Sequence, residues 1–440
     1  MARPIVAVVG RPNVGKSTLF NKIAGDRISI VEDSPGVTRD RIYADCDWLN
    51  KPFTLVDTGG LEPDSDDIIL KQMFNQAQIA IDTANVIIFV VDVKTGIIDA
   101  DFQVANILRK SKKPVIVAVN KVDNMRVENF DVYEFYQLGL TALVPVSAGQ
   151  GLNIGDLLDE VVEHFPNEDI EDEEDTAIKV AIVGKPNAGK SSLINRILGE
   201  ERLIVSEIAG TTRDAIDTRV TIDDREFVFI DTAGMRRRSR IKENIEKYSI
   251  VRGIAAIERA DVIVLVIDAE EGISEQDTKI AGMAHERGKA AIIAVNKWDK
   301  IEKDTHTMKK FEETLKVELA YMPYAPKLFI SALTGQRVTK LFDLINYVSE
   351  NTNMRIQTGV LNDVLIEAMQ HQQPPRDKGK PLRIYYITQV SVKPPTFILF
   401  VNDSKLLHFS YKRYLENKLR EAFGFDGTPI HFIARNKGDN

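Results

Sequence analysis

Cysteine is almost absent from this chain, which has a single one, Cys46, among 440 residues. One cysteine excludes an internal disulfide and is typical of a protein kept in a reducing compartment. Long apolar runs are missing too: the stretch VIIFVV that begins at Val86 meets Asp92 far short of a bilayer span. Near the N-terminus, Arg11 and Lys16 come before a signal-peptide core could form. We therefore expect a cytoplasmic protein with no membrane partner.

Positive charge is scarce in most of the chain but not at its end. The net charge is −8, from 57 Lys+Arg and 65 Asp+Glu. Residues 351–440 hold 13 basic and 8 acidic residues, so residues 1–350 hold 44 and 57, a net charge of −13. A basic surplus of this size is typical either of a surface that meets a polyanion or of ordinary solvated surface.

The first segment alternates short β-branched runs with amphipathic stretches. PIVAVVG, FTLVDTGG, VIIFVVD, VIVAVN and LVPVS each have the composition of a buried strand. This alternation predicts an α/β fold, in which a mostly parallel sheet carries crossover helices on both faces. IYADCDWLNKPFTLVD, with a polar turn at Asn50 and Lys51, predicts a hairpin with one antiparallel strand at the sheet edge.

The same order of motifs then occurs a second time, after the acidic stretch PNEDIEDEEDTA at residues 166–177. Gly10 corresponds to Gly184 and Asp57 to Asp231, each 174 positions later. The second copy is longer near its end, and we expect a surface loop around DTHTMKKFEET. The acidic stretch predicts an extended, self-repelling linker.

Residues 351–440 contain no phosphate loop. They predict a small α+β domain with the helix VLNDVLIEAMQ, the strands RIYYITQV and TFILFVN, the helix SYKRYLENKLREAF and the strand IHFIA. The chain as a whole therefore predicts two α/β domains, a linker and an α+β domain.

GRPNVGKS, from Gly10, and GKPNAGKS, from Gly184, fit the P-loop pattern after an apolar strand and before a helix. In such loops successive backbone N–H groups converge on phosphate oxygens at a helix N-terminus. We expect Lys16 and Lys190 to reach the β- and γ-phosphates of a nucleotide. Ser17 and Ser191 are expected to ligate magnesium, and the other expected loop contacts are Gly10, Asn13, Val14, Gly15, Thr18, Gly184, Asn187, Ala188, Gly189 and Ser192.

DTGG and DTAG end an apolar strand in each copy, at Asp57 and Asp231. A carboxylate at such a strand end can hold magnesium, usually through water. The N–H of the last glycine, Gly60 or Gly234, can sense the γ-phosphate.

The segments SPGVTRD and AGTTRD precede these motifs, and we expect Thr38 and Thr212 to close onto magnesium and the γ-phosphate. After the second DxxG comes the basic run RRRSR, residues 236–240, where the first copy has the acidic LEPDSDD. A basic run is typical of solvated surface or, here, of an RNA contact or an inter-domain contact that follows the nucleotide state.

NKVD at residues 120–123 and NKWD at residues 296–299 decide the base. A carboxylate accepts hydrogen bonds from guanine N1–H and the exocyclic amine, whereas adenine presents an acceptor at N1. Asp123 and Asp299 are therefore expected to select guanine, which predicts GTP or GDP at two sites. The supporting residues are expected to be Asn120 and Asn296, which brace the loop, Lys121 and Lys297, whose stems cover the base, and Ser147, Ala148, Ser331 and Ala332, whose backbone meets the guanine oxygen.

With two sets of these motifs, an acidic joint and a small C-terminal domain, the chain resembles the Der (EngA) family, tandem G-domain GTPases of bacterial ribosome assembly. The resemblance covers essentially all 440 residues and implies G domains at 1–165 and 178–350 and a KH-like domain at 351–440. It implies a magnesium-dependent, potassium-stimulated hydrolysis of GTP to GDP and phosphate. It also implies a monomer that binds the large ribosomal subunit, or its precursor, through ribosomal RNA.

The residue after DxxG is Leu61 in one copy and Met235 in the other, where Ras-like proteins have a water-orienting glutamine. The resemblance implies that Asn13 and Asn187 instead help to hold potassium near the β- and γ-phosphates. The alternative is that these asparagines only shape the loop.

The GxxG at residues 424–427 lies between a helix and a strand, not between two helices as in KH proteins that grip RNA. It predicts a helix C-cap and a domain that docks on the G domains. Its basic face is expected to contain Lys405, Lys412, Arg413, Lys418 and Arg420. The competing hypothesis for the whole chain is an RNA-binding scaffold in which one GTP site is structural rather than catalytic.

Overall fold

The computed structural model describes residues 3–26, 43–59, 69–123, 130–140, 142–166, 176–199, 204–209, 216–223, 225–232, 245–302, 304, 306–377 and 380–436. These residues form two compact units. The first contains the described parts of Met1–Asp175 and Arg240–Glu258, and the second those of Thr176–Gly210, Ile216–Ser239 and Arg259–Asn440. None of the helices in the described ranges has the length and apolar character needed to cross a membrane.

The first unit is built on a six-stranded sheet with the order β2-β3-β1-β4-β5-β6. Only β2 and β3 pair antiparallel. The strands are β1 (Ile5–Val9), β2 (Tyr43–Trp48), β3 (Lys51–Asp57), β4 (Val86–Asp92), β5 (Val115–Asn120) and β6 (Ala142–Pro145). Every residue of β4 is buried, as expected for a central parallel strand covered on both faces.

Helices of the first unit cover both faces of this sheet, which confirms the predicted fold class. They are α1 (Lys16–Asp26), α2 (Ile69–Thr83), α3 (Asp99–Lys110), α4 (Phe130–Tyr133) and α5 (Ile154–Glu163). Phe89 and Val104 belong to the core on one face, and Leu19 and Leu158 belong to the core on the other.

The predicted hairpin is confirmed, with a small shift of its turn. Lys51 already pairs with Trp48, so the turn residues are Leu49 and Asn50, one position earlier than expected. Both have positive φ, 52° and 59°, which is the requirement of the two-residue turn that matches strand twist.

The second repeat is built on a seven-stranded sheet with the order β13-β12-β11-β7-β10-β9-β8. Its strands are β7 (Ile178–Val183), β8 (Ile204–Ala209), β9 (Ile216–Ile222), β10 (Arg225–Phe229), β11 (Val262–Asp268), β12 (Ala290–Asn296) and β13 (Lys327–Phe329). Its helices are α6 (Lys190–Leu198), α7 (Ile245–Arg259), α8 (Glu275–Glu286), α9 (Thr307–Glu318) and α10 (Lys340–Asn353).

Helix α7 follows the second DxxG in sequence, yet up to Glu258 it belongs to the first compact unit. Val251 lies in that unit's core, and Arg252 Nη2 lies 2.6 Å from Asp82 Oδ2. The domain boundaries at residues 165, 177 and 350 stay a prediction, and most of the acidic stretch lies outside the described residues.

The surface loop expected around DTHTMKKFEET is wrong, because most of that stretch forms α9. Phe311 and Leu315 are four positions apart and so lie on one helical face. Leu315 is buried, and the Phe311 ring contacts those of Trp298 and Phe329 at centroid distances of 5.9 and 6.0 Å. This apolar stripe explains why the insertion folds as a helix.

The C-terminal residues form the predicted α+β domain within the second unit. The elements are α11 (Thr358–His371), a short hairpin of β14 (Arg376–Asp377) and β15 (Lys380–Pro381), β16 (Ile384–Ser391), β17 (Thr396–Val401), α12 (Phe409–Phe423) and β18 (His431–Asn436). Strand β17 pairs antiparallel with β16 and parallel with β18.

The GxxG ends α12, as predicted: Gly424 has φ 88° and its N–H donates to Arg420 O at 2.8 Å. Gly427 packs on the second repeat, where its N–H donates to Tyr324 O at 2.8 Å and its carbonyl accepts from Ala291 N–H at 2.7 Å. Arg420 does not belong to an open basic face, because its guanidinium lies 5.1 Å from the Tyr324 ring centroid and donates to Phe425 O at 2.6 Å.

Candidate nucleotide sites

Each repeat gathers its predicted residues at the carboxyl edge of its own parallel sheet, where ligands of such sheets bind. In the first repeat Gly10 follows β1, Lys16 begins α1, Asp57 ends β3, Asn120 ends β5 and Ser147 follows β6. In the second repeat the corresponding residues, in the same order, are Gly184, Lys190, Asp231, Asn296 and Ser331.

The two P-loop lysines are held inside their loops. Lys16 Nζ donates hydrogen bonds to the carbonyl oxygens of Gly10 and Arg11, both at 2.8 Å. Lys190 Nζ does the same with the first two residues of its own loop, at 2.7 and 2.6 Å. Each ammonium therefore lies where the loop backbone would surround a phosphate.

An asparagine side chain ties each P-loop to the base-binding loops. Asn120 Nδ2 donates to Val14 O at 2.8 Å, and its Oδ1 accepts from Ala148 N–H at 2.9 Å. Asn296 makes the same two bonds with Ala188 O and Ala332 N–H, both at 2.9 Å. The predicted bracing role of these asparagines thus corresponds to an observed hydrogen-bond frame.

The second glycine of each P-loop leaves no room for a side chain. A Cβ on Gly15 would lie 2.3 Å from Asn120 Nδ2, and one on Gly189 would lie 2.2 Å from Asn296 Nδ2. Both glycines also have strongly positive φ, 96° and 94°, which L-residues rarely adopt.

The residues expected to hold magnesium meet in the first repeat. Ser17 Oγ donates to Asp57 Oδ2 at 2.9 Å, and Gly59 N–H donates to Asp57 Oδ1 at 2.8 Å. A hydroxyl and a carboxylate oxygen are the ligand types that magnesium prefers, so the donor set fits this ion.

In the second repeat a strand residue supports the backbone of the equivalent aspartate. Asp231 has φ 56°, and its N–H donates to Asp217 Oδ1 at 3.0 Å. Asp217 is buried and also accepts from Arg259. The sequence interpretation missed Asp217, because no motif marks a strand residue that supports the DxxG backbone.

The lysines of NKxD are fixed by carboxylates that the sequence interpretation also missed. Lys121 Nζ lies 2.6 Å from Asp92 Oδ2 and 2.9 Å from Asn13 O. Lys297 Nζ lies 2.5 Å from Asp268 Oδ2. Burial would raise the pKa of Asp268, but the hydrogen bond from Lys297 and neighbouring N–H groups lower it. Both copies have an aspartate at the end of the corresponding strand, β4 or β11, and this repetition could have identified the two lysine partners from the sequence.

The two carboxylates that are predicted to read the base, Asp123 and Asp299, have different surroundings. Asp123 Oδ2 accepts from Lys94 Nζ at 2.6 Å and Oδ1 accepts from Ser147 Oγ at 2.8 Å. These bonds, that of Lys94 above all, hold the pKa of the Asp123 carboxyl below its usual range. Asp299 Oδ1 is buried and, in the part of the chain that the structure describes, accepts no hydrogen bond.

Several predicted residues cannot be placed. Thr38, Gly60, Thr212, Gly234, Leu61, Met235 and the basic run at 236–240 lie outside the described residues. The remaining predicted site residues lie on the P-loops, on the first turns of α1 and α6, and at or just after the carboxyl ends of the strands named above.

Two family models match the chain. One, described as a 50S ribosome-binding GTPase, matches residues 5–121 and 179–297. The other, described as the C-terminal KH-domain-like domain of EngA bacterial GTPase enzymes, matches residues 355–435.

Curated relatives match over their full length. The chain is 62% identical to GTPase Der of Agathobacter rectalis and 64% identical to GTPase Der of Lachnoclostridium phytofermentans, over 100% of this chain and of each relative. Among solved structures it is similar to Aquifex aeolicus Era bound to GDP·AlF4−, at 23% identity and a TM-score of 0.31, over 59% of this chain and 88% of that one. The identity to the full-length relatives decides the family: the chain belongs to the GTPase Der family, and its enzymatic activity is the hydrolysis of GTP.

Proposed function

We propose that each repeat has its own GTP-binding and GTP-hydrolysing site, and that the protein acts as a two-site switch in assembly of the large ribosomal subunit. The duplicated hydrogen-bond frame is the observation that carries the two-site proposal. Asn120 and Asn296 hold the P-loop against the base-binding loop with the same two bonds in each repeat. A repeat that had lost nucleotide binding would have no reason to keep this frame.

In this proposal the P-loop lysines are the catalytic residues that stabilise charge during hydrolysis. Lys16 and Lys190, held by loop carbonyls, stabilise the negative charge that develops on the β- and γ-phosphate oxygens. Thr38, Thr212, Gly60 and Gly234 are proposed to close on the γ-phosphate side. Asp123 and Asp299 select guanine, with Ser147, Ala148, Ser331 and Ala332 at the opposite edge of the base.

Magnesium would be held by Ser17 and Asp57 in the first site and by Ser191 and Asp231 in the second. When bound, it neutralises charge on the phosphate oxygens. Thr38 and Thr212 complete the proposed ligands. Asn13 and Asn187 have exposed side chains on their loops, which supports the proposed potassium contact near the phosphates.

The ribosomal part of the proposal is supported by the matched family description, a 50S ribosome-binding GTPase. The basic surplus of residues 351–440 supports a contact with ribosomal RNA. A monomer in the cytoplasm is part of the same proposal.

The test uses the full chain with Lys16→Ala and Lys190→Ala, separately and together. Each single variant should lose hydrolysis at its own site by about 100-fold, the effect of removing one charge-stabilising group. Single-turnover GTP hydrolysis and nucleotide stoichiometry measure this loss. Lys110→Ala, which removes an exposed lysine at the end of α3, is the control.

A site whose lysine can be removed without loss of hydrolysis would be structural, and the scaffold hypothesis would then replace the two-site proposal. Co-sedimentation with large ribosomal subunits, with a non-hydrolysable GTP analogue or with GDP, tests the switch. Equal binding with both nucleotides would contradict it.

A further inference from the structure

At one position near the carboxylate proposed to read the base, the first repeat has a positively charged residue and the second has a negatively charged one. The loop after β4 reads DVKTG and the loop after β11 reads DAEEG, so Lys94 has the position of Glu270. The loops have the same local conformation, because the backbone N–H of Lys94 donates to Asp92 and that of Glu270 to Asp268, both at 2.9 Å. The charge difference is therefore not a consequence of different backbones.

In the first repeat this charge lies directly on the base reader. Lys94 Nζ is 2.6 Å from Asp123 Oδ2, and Ser147 Oγ is 2.8 Å from Asp123 Oδ1. Both carboxylate oxygens thus have a donor before any base arrives. The mutual effect appears in the pKa values, because the hydrogen bond between them raises the pKa of Lys94 and lowers that of Asp123.

In the second repeat the corresponding side chain is an acid, which cannot donate a hydrogen bond to the carboxylate of Asp299. Glu270 Oε2 pairs with Lys300 Nζ at 2.7 Å. Among the described residues, no donor reaches the buried Oδ1 of Asp299. A buried acceptor without a donor is costly, so a guanine N–H that reaches it satisfies a group that was unsatisfied before.

We propose that Lys94 sets the strength of guanine recognition at the first site, where its ammonium competes with the guanine N–H groups for Asp123. At the second site the corresponding side chain is the acid Glu270, which pairs with Lys300 and offers no donor to Asp299. The inference rests on the proposed function, in which Asp123 and Asp299 read guanine. It makes the first site the weaker one for guanine nucleotides and the one that exchanges them more readily.

Lys94 can be replaced without disturbing a core. Its side chain is 60% exposed and that of Asp123 is 41% exposed. An ion pair this exposed is weak, so its removal should tighten guanine binding by about two- to five-fold. Lys94 is a specificity-determining residue in this proposal and takes no part in hydrolysis.

The experiment isolates one site in the full chain. Asp299→Asn puts an amide where guanine needs a carboxylate, so GDP titrations of this variant report the first site. In that background, Lys94→Ala should lower the dissociation constant for GDP by about two- to five-fold. Lys110→Ala also removes an exposed positive charge, from the end of α3, and should leave the constant unchanged.

The reciprocal arm isolates the second site with Asp123→Asn. There Glu270→Lys should weaken GDP binding by about two- to five-fold, because the new ammonium can reach Asp299 and Lys300 loses its partner. The first arm removes the positive charge beside Asp123, and the second arm places one beside Asp299.

An unchanged or weaker GDP affinity in the Lys94→Ala variant would overturn the inference, provided that the Asp299→Asn background binds one GDP. The proposed function fails separately, if the double variant Asp123→Asn, Asp299→Asn still binds GDP as tightly as the unchanged chain. Each result thus counts against one of the two statements and not the other.

Discussion

The asparagine frame is nearly identical in the two repeats. In the first, Asn120 hydrogen-bonds to Val14 O at 2.8 Å and to Ala148 N–H at 2.9 Å. In the second, Asn296 makes the corresponding two bonds, both at 2.9 Å. A few residues away, Lys94 and Glu270 have opposite charges at corresponding positions. The backbone frame is duplicated because it has one geometric solution, with a glycine that no side chain can replace. The charges around the frame have no such restriction, so the two proposed sites can differ in nucleotide affinity while having the same backbone geometry.

The corner that is proposed to hold magnesium has a support that the motifs do not mark. Ser17 Oγ donates to Asp57 in the first repeat, and in the second repeat Asp217 accepts a hydrogen bond from the backbone N–H of Asp231. The two repeats therefore share the asparagine frame, and a carboxylate on a neighbouring strand supports the DxxG backbone of the second.

The largest expected effect tests whether the frames are equivalent. Asn120→Ala or Asn296→Ala leaves a buried carbonyl and a buried N–H unpaired, which should lower the opening free energy of that P-loop by about 2–4 kcal/mol. Hydrogen exchange of the loop amides measures this for each repeat in the same sample. Asn106→Ala, at an exposed position of α3, is the control. If the two variants lose clearly different amounts of P-loop opening free energy, the frames have the same geometry but not the same stability.

The next prediction concerns the contact between the second repeat and the C-terminal domain at Gly427. Gly427→Ala should destabilise the second unit by about 1–3 kcal/mol, because of its positive φ and a Cβ that would lie 2.3 Å from Val348. Gly424 also has positive φ but no atom within 4 Å of an added Cβ, so Gly424→Ala should cost less. Calorimetric unfolding measures both.

A second change separates backbone strain from the clash. Adding Val348→Ala to Gly427→Ala should recover part of the loss, because it removes the atoms that the new Cβ meets. Strictly additive losses would contradict a clash at this contact.

The smallest effect concerns pH. Burial, with the charges of His431 and Arg420, lowers the pKa of His285 to about 4. The unfolded chain therefore takes up a proton near pH 6.5, before the folded chain does, so stability falls as the pH drops below that value. Between pH 7 and 5 the second unit should lose about 1–2 kcal/mol from this group.

His285 also accepts or donates a 2.9 Å hydrogen bond with the Tyr324 hydroxyl and packs near Tyr321. His285→Gln keeps a polar partner for Tyr324 and cannot be protonated, so it should lose part of the pH dependence. The first unit has only His164, which is partly exposed, and its calorimetric transition should move less. An equal shift of both transitions would refute the assignment to His285.

Sequence reasoning performed best where a pattern has one physical solution. The β-branched runs ending at Asp92 and Asn120 predicted parallel strands, and the glycine at 424 predicted a helix end. It failed at DTHTMKKFEET, where the extra length of the second copy suggested a loop and the spacing of Phe311 and Leu315 favoured a helix. It also placed Arg420 on an open basic face, although Tyr324 and nearby carbonyls hold it.

The sequence by itself determined two P-loop patterns, two NKxD tetrapeptides and the order of strands that brings them to one sheet edge, because these depend on local backbone requirements. Only the tertiary structure decided which side chains surround each site. Asp217 supports Asp231 from a neighbouring strand, and Lys94 reaches Asp123 from a neighbouring loop, 29 positions away. Such contacts join residues distant in the chain, so they depend on the packing of whole elements, which local patterns do not specify.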